Sequence, residues 1–225
     1  MYTLVFDTTA AGCGVCLQKD GNIIDKIEKE MDFGQAEELL PAIKDILDKN
    51  KIMMTDLTAI AVCTGPGSFT GVRACISAAR TFSFALPECK VYGISAFDAY
   101  INNLEPQEIA DVNAVIIETK RSDFYCQIYD SAKNKISEPL AAHYEEIISR
   151  LKNSGKKISL IGDGVERFLS KPSGLSLHAI KMTRGLPIDS LAMAAWQKYC
   201  NKIFDFPKPL YIKAPDLGPK KTLDN

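Results

Sequence analysis

Apolar and polar positions along this chain switch between a period of two and a period near 3.6, and the switches fall in an ordered series. Tyr2–Asp7 is an apolar strand ending in an acid, followed by the small-residue turn Thr8–Gly12 and a second strand from Cys13 to Lys19. Asp20-Gly-Asn22 is a tight-turn signal, and Ile23–Glu30 reads as a third, antiparallel strand. Leu39, Leu40, Ile43, Ile46 and Leu47 recur at helical spacing and predict a helix over Gln35–Asn50, which Pro41 must either open or kink. Thr58–Thr64 is a fourth strand, then come a glycine-rich loop, a helix to about Leu86, a strand over Lys90–Ile94 and a helix over Ser95–Asn103.

The second half repeats this order. Val112–Glu118 is a strand ending in an acid, Phe124–Asp130 its hairpin partner, and Lys135–Glu138 the expected third strand. Tyr144–Leu151 is helical, Lys157–Ile161 a strand, and Gly162-Asp-Gly164 a turn before a short helix. A strand over Ser176–Ile180 and a closing helix over Ser190–Lys202 complete the half, and the tail Phe206–Asn225 is expected to run extended. Asp7-Thr8 and Glu118-Thr119 each end a first strand, while Gly65-Pro-Gly67 and Gly162-Asp-Gly164 each stand between a later strand and a helix. One β-β-β-α-β-α unit used twice is the α/β organisation of the actin, hexokinase and Hsp70 (ASKHA) fold. The periodicity breaks near Asn102–Glu108, which predicts subdomains over residues 1–104 and 105–225.

Composition narrows the function classes. The 225 residues carry a formal net charge of −1, with 46% hydrophobic and 24% charged residues, which is the balance of an ordinary globular chain. Chains that hold nucleic acid alone usually show a basic excess, so contact with RNA is expected through a partner. The start, Met1–Ala10, lacks the pattern of a secretion signal, and no apolar run reaches the roughly 18–20 residues of a membrane span. Seven scattered cysteines fit a reducing cytoplasm. Cys13 and Cys16 form a C-x-x-C, but on a strand residues three apart face opposite ways, so both read as core rather than as redox or metal groups.

Two segments carry candidate chemistry. The first tip, Asp7-Thr-Thr-Ala-Ala-Gly12, stands where ASKHA enzymes hold nucleotide phosphates, but Thr9 replaces the glycine that lets backbone N–H groups approach. Asp7, Thr8, Thr9 and Glu118 are therefore either a residual nucleotide pocket or acids and hydroxyls that order their turns. The loop Gly65, Pro66, Gly67, Ser68, Phe69, Thr70 and Gly71 narrowly misses both a P-loop, lacking its Lys, and a dinucleotide fingerprint, having Thr70 in place of the third Gly. It supplies a tight strand-to-helix turn with Ser68 or Thr70 available as the cap, and N–H groups at that helix start are suited to an anion.

Gly65-Pro-Gly-Ser-Phe-Thr-Gly-Val-Arg73 resembles the hallmark of the TsaB (YeaZ) family, and Phe6-Asp-Thr-Thr9, Glu38-Leu-Leu-Pro41 and Pro209-Leu-Tyr-Ile-Lys-Ala-Pro215 resemble its other motifs. Glu118-Thr-Lys-Arg121 stands where family members tend to carry Asp-Ala-Arg-Arg. The resemblance implies an ASKHA fold and pairing with TsaD, a paralogue that transfers threonylcarbamoyl to adenosine beside the tRNA anticodon, and with the ATPase TsaE. TsaD holds its metal through a His-x-x-x-His pair; the matching stretch here, Val91–Asp98, contains no histidine, and His143 and His178 lie far from it in sequence. The resemblance thus implies a non-catalytic scaffold or activator, with no catalytic residue or metal of its own and with ATP and metal on partner subunits. It further implies tRNA contact only through the complex, a homodimer when alone, and no membrane association.

Two helices are candidates for the partner contacts. In the second, Val72, Ile76, Ala79 and Phe82 form a stripe toward the sheet, while Ala74, Ser77, Ala78, Thr81 and Ala85 form a face of small residues that admits another helix. In the first, Leu39, Leu40, Ile43 and Leu47 offer more apolar surface than one sheet contact requires. Periodicity alone serves internal packing equally well; the resemblance implies the interface, because TsaB proteins pair through this region. Arg73 and Arg80 share a face and either anchor a partner carboxylate or stay solvated. Trp196 is expected to seal the second half's core, and Lys208, Lys213, Lys220 and Lys221 to lie on a basic tail that is disordered or touches RNA weakly. The reading from a different class is a stand-alone ASKHA-type ATPase or small kinase that holds a metal nucleotide between Asp7 and Glu118. A direct tRNA-binding module fits the charge balance poorly.

Overall fold

A strand covered on both sides reads as a nearly continuous apolar run, and consecutive side chains then feed two different cores. In a computed structural model of the chain, which describes residues 1–154, 157–180 and 185–213, this is how the central strands behave. The first half contains β1 (Tyr2–Asp7), β2 (Gly12–Lys19), β3 (Asn22–Glu30), α1 (Gln35–Asn50), β4 (Leu57–Cys63), α2 (Phe69–Ala85), β5 (Lys90–Ile94) and α3 (Ala96–Asn102). The second contains β6 (Val112–Glu118), β7 (Asp123–Asp130), β8 (Leu140–His143), α4 (Tyr144–Lys152), β9 (Ile158–Ile161), α5 (Val165–Leu169), β10 (Leu177–Ala179) and α6 (Ile188–Cys200). Each half thus carries the expected β-β-β-α-β-α unit followed by the further strand and helix that the periodicity also marks, β5–α3 and β10–α6.

The two sheets have the same order, β3-β2-β1-β4-β5 and β8-β7-β6-β9-β10. In each, an antiparallel meander joins a parallel pair at its first strand, β1 with β4 and β6 with β9. Leu4, Phe6, Ile60 and Val62 point into a core under α1 and α2. Ala114, Ile116, Ile158 and Leu160 point into a core under α4 and α5. Between the sheets lies a third core that takes Val5, Ala61, Val115 and Ile117 together with α3 and α6. Cys13 joins the first core and Cys16 the central one, as a strand's alternation requires. Pro41 sits inside α1 on its exposed side, and the helix runs through it.

Two expectations are corrected. The third strand of the second half is Leu140–His143, not Lys135–Glu138. Lys135 makes an isolated bridge to Tyr129, the Ser137 hydroxyl takes the Ile128 N–H at 2.9 Å, and Pro139 has no N–H to continue a ladder. Trp196 does not seal the second half, because α6 crosses back onto the first sheet. Gln18 Nε2 donates to the Ala192 carbonyl at 3.1 Å, the Tyr92 hydroxyl to the Ala195 carbonyl at 2.9 Å, and Lys26 pairs with Asp189 at 2.7 Å. The Trp196 ring lies over the β2–β3 turn, where a Cβ on Gly21 would stand 2.5 Å from it.

Candidate functional site

The two acidic tips and the two glycine turns face one cleft of about 1770 Å³, lined by Thr9, Gly67, Phe69, Glu118 and Asp163 among others. The first tip is sealed by its own neighbours. Asp7 is 4% exposed, its Oδ1 accepts the Thr9 N–H at 2.8 Å, and burial raises its pKa. The glycine loop is laid directly on the same tip. Ser68 N–H donates to the Thr9 carbonyl at 2.7 Å, and the Thr8 hydroxyl donates to the Gly71 carbonyl at 2.8 Å. A Cβ on Gly67 would stand 2.3 Å from the Thr9 carbonyl oxygen, and one on Gly71 1.8 Å from that of Thr8. The glycines thus admit the hairpin backbone, which is the close approach a phosphate would need. Ser68 caps α2 through the Gly71 N–H at 3.3 Å. Beneath the tip the Thr8 N–H meets Cys75 Sγ at 3.2 Å and the Thr9 hydroxyl meets Cys63 Sγ at 3.3 Å, and burial holds both thiols far above the usual range.

The second tip is closed by charge. Arg167 of α5 grips Glu118 with both ends of its fork, Nε to Oε2 at 2.6 Å and Nη2 to Oε1 at 2.7 Å. The guanidinium also donates to the Asp123 carbonyl at 2.8 Å and stacks 3.7 Å over the Phe124 ring. Burial pushes the Glu118 carboxyl upward, but the Arg167 hydrogen bonds outweigh it and leave the pKa below 4.5. Asp163, which accepts the Glu118 N–H at 3.0 Å, is pushed up to about 6 by burial. A metal nucleotide between the tips needs free carboxylate oxygens and a glycine after the first acid. Here both Glu118 oxygens are on Arg167, Asp7 is turned into its own loop, and Thr9 occupies the glycine's place, so these residues do not fit such a group. His143 and His178 stand on β8 and β10, at opposite edges of one sheet. Strands spaced about 4.8 Å apart put these edges much too far apart for one ion.

The family model for TsaD, tRNA N6-adenosine threonylcarbamoyltransferase, matches residues 34–209. The chain belongs to that family, on its TsaB (YeaZ) branch. The tRNA threonylcarbamoyladenosine biosynthesis protein TsaB of Buchnera aphidicola subsp. Baizongia pistaciae is 28% identical over 172 residues, covering 73% of this chain and 76% of that one. The TsaB of Escherichia coli K12 is 28% identical over 184 residues, 79% of each chain. The solved structure of YeaZ from Pseudomonas aeruginosa superposes with a TM-score of 0.71 at 20% identity, over 93% of this chain and 99% of that one. The fold is accordingly the two-domain α/β ASKHA arrangement, with both sheets in one strand order.

On this TsaB-branch chain the expected helix contacts divide in two. Leu39, Ile43 and Leu47 are buried in the first half's own core, which corrects the reading that α1 has apolar surface to spare there. Leu40 remains 56% exposed, and on α2 Arg73, Ser77 and Thr81 are exposed while Ala74 and Ala78 are half-buried. Leu40, Met53 and Phe82 border a shallow groove of about 440 Å³ between the helices, and Phe84 near the end of α2 is 91% exposed. Arg73 and Arg80 are neither simply solvated nor empty-handed: Arg73 Nε donates to the Tyr211 hydroxyl at 3.3 Å and Arg80 Nη2 to the Pro207 carbonyl at 3.3 Å. Sequence reasoning missed Arg167 and Asp163. Arg167 lies 49 positions from Glu118 with no periodic relation to it, whereas Asp163 stood inside the turn motif already singled out. Ala214, Pro215, Lys220 and Lys221 lie outside the described residues.

Proposed function

We propose that this chain takes part in tRNA threonylcarbamoyladenosine biosynthesis as a non-catalytic subunit that pairs with a TsaD-type transferase. The biosynthetic role follows from the TsaB relatives. The observation that carries the non-catalytic part is the state of the two tips: Asp7 is turned into its own loop, and both Glu118 oxygens are on Arg167. A TsaE-type ATPase joins the pair, the metal and ATP belong to those partners, and tRNA is reached through the assembly. The docking surface is the outer side of α1 and α2, where Leu40, Met53 and Phe84 expose apolar area beside the small residues Ser77, Thr81 and Ala85. A second copy occupies the same surface when the chain is alone.

Co-purification with a TsaD-type partner, followed by mass determination, tests the pairing. Thr81→Arg and Leu40→Glu alter exposed positions, unlike a change at half-buried Ala78, so both variants should keep the wild-type unfolding midpoint. Each is expected to reduce partner capture at least about tenfold, the scale of an unpaired charge forced into an apolar contact. Undiminished capture by both would sink the assigned surface. Steady phosphate release from ATP and magnesium by the purified chain, lost in Asp7→Asn, would replace the scaffold by an ATPase.

A further inference from the structure

After α6 the chain runs from Asn201 to Lys213 without regular structure, yet it is tied down along its length. The Phe204 ring packs edge-on against Tyr92 and Tyr199, each at 5.5 Å. The Asp205 carbonyl accepts the Gly93 N–H at 2.9 Å, so the segment covers the open edge of β5. A Cβ on Gly93 would stand 2.5 Å from Thr64 Cγ2 and 3.3 Å from Pro207 Cα, so the glycine leaves room for the Thr64 side chain first and for the segment second. Leu210 N–H donates to the Thr64 carbonyl at 2.9 Å, and the Tyr211 ring lies 6.0 Å from Phe69, whose other contact is the Arg73 guanidinium at 3.7 Å. Each of these anchors belongs to the first half or to the helix packed on it. The last one does not. Lys213 Nζ reaches Asp123 Oδ2 of the second half at 2.8 Å, where the carboxylate is 7% exposed and its other oxygen is held by the Thr119 hydroxyl at 3.0 Å. Leu210, Tyr211, Ile212 and Lys213 line the cleft on the way.

We propose that Phe204–Lys213 is a strap whose cross-cleft tie, Lys213 to Asp123, sets how far the two halves open at the cleft. The strap is rooted in the first half by backbone hydrogen bonds and rings, so it moves with that half. Asp123 begins β7 and receives the strap's charge beside the Arg167–Glu118 pair, so pulling or releasing Lys213 acts on the second tip directly. Arg73 and Arg80 serve as strap anchors on α2, which gives both a use within the chain.

Amide hydrogen exchange on the full chain tests this. Lys213→Ala is expected to speed exchange about threefold both at the Leu210 amide and in the segment 118–123, the scale of one half-exposed ion pair. Asp123→Lys alone should do the same or more, and the exchanged pair Lys213→Asp with Asp123→Lys should restore wild-type protection in both places. Lys208→Ala, a loss of equal charge in the same segment, should change neither. Faster exchange confined to the strap would reduce it to an edge cover and overturn the cross-cleft role. Failure of the exchanged pair to restore protection would do so equally. None of these readouts depends on a partner, so they stand or fall apart from the scaffold reading.

Discussion

At the first tip Asp7 has lost its water: the glycine loop lies on it, thiols lie beneath it, and burial makes its charged form costly. At the second tip Glu118 keeps a partly open position and is held by a cation instead. The strand orders around the two are the same. A repeated fold therefore fixes where an acid stands but not how it is neutralised; that is decided by which side chains the loops and short helices bring to it. The first solution is rigid, because it consists of backbone packed on backbone. The second consists of two side chains and responds to pH and to salt.

The largest way to break this contrast is through the paired glycines. Gly67→Ala places a methyl 2.3 Å from the Thr9 carbonyl, whereas at Gly164 the nearest atom, the Glu118 nitrogen, is 3.1 Å away. Urea denaturation should show a loss of about 2–4 kcal/mol for the first and about 1 kcal/mol for the second. Equal losses would mean that the first loop has slack after all. Next in size is Arg167→Ala, expected to cost about 1 kcal/mol at neutral pH after allowing for solvent screening. Glu118 titrates in the folded chain below its ordinary 4.5, so the stabilisation is complete above that value and is lost as the pH falls through the lower folded one. Wild-type and variant stabilities should converge in acid, and a gap that persists there would assign the effect to the Phe124 stacking. The remaining effect is a slope with pH rather than a fixed loss. Asp163 is held near 6 against an ordinary 3.8, so the folded chain binds the extra proton in that window and stability declines as pH rises through it. Asp163→Asn keeps an acceptor for the Glu118 N–H and should flatten the decline, as followed by denaturation at stepped pH.

Much of the scaffold could be read in the sequence because burial imprints a period. The alternation of Leu4, Val5 and Phe6 marks a strand covered on both faces, and Leu39, Ile43 and Leu47 mark the buried stripe of α1. That same stripe misled on function, since an apolar face looks alike whether the sheet or a partner covers it. The glycines at 67 and 71 announced a close approach without saying to what; the answer is the Thr8–Thr9 backbone, some sixty positions earlier. Arg167 on Glu118 and Lys213 on Asp123 leave no local trace, because each pair is made by tertiary folding between residues 49 and 90 positions apart. Lys135–Glu138, whose one apolar residue is Ile136, reads as a strand only by analogy with the order of the first half, and the side-chain hydrogen bond of Ser137 is invisible to a hydropathy pattern.

The return of α6 to the first sheet has a consequence for how the polypeptide is made. Val5, Cys16 and Ala61 acquire their covering from Leu191, Ala192 and Ala195, residues translated roughly 130 or more positions after them. At elongation speeds of about 5–20 residues per second the amino-terminal sheet, complete at β5, waits on the order of five to twenty seconds for that helix to emerge from the ribosome. The two halves consequently mature together rather than one after the other, and a nascent chain stalled before Ile188 exposes an apolar sheet face that chaperones would bind.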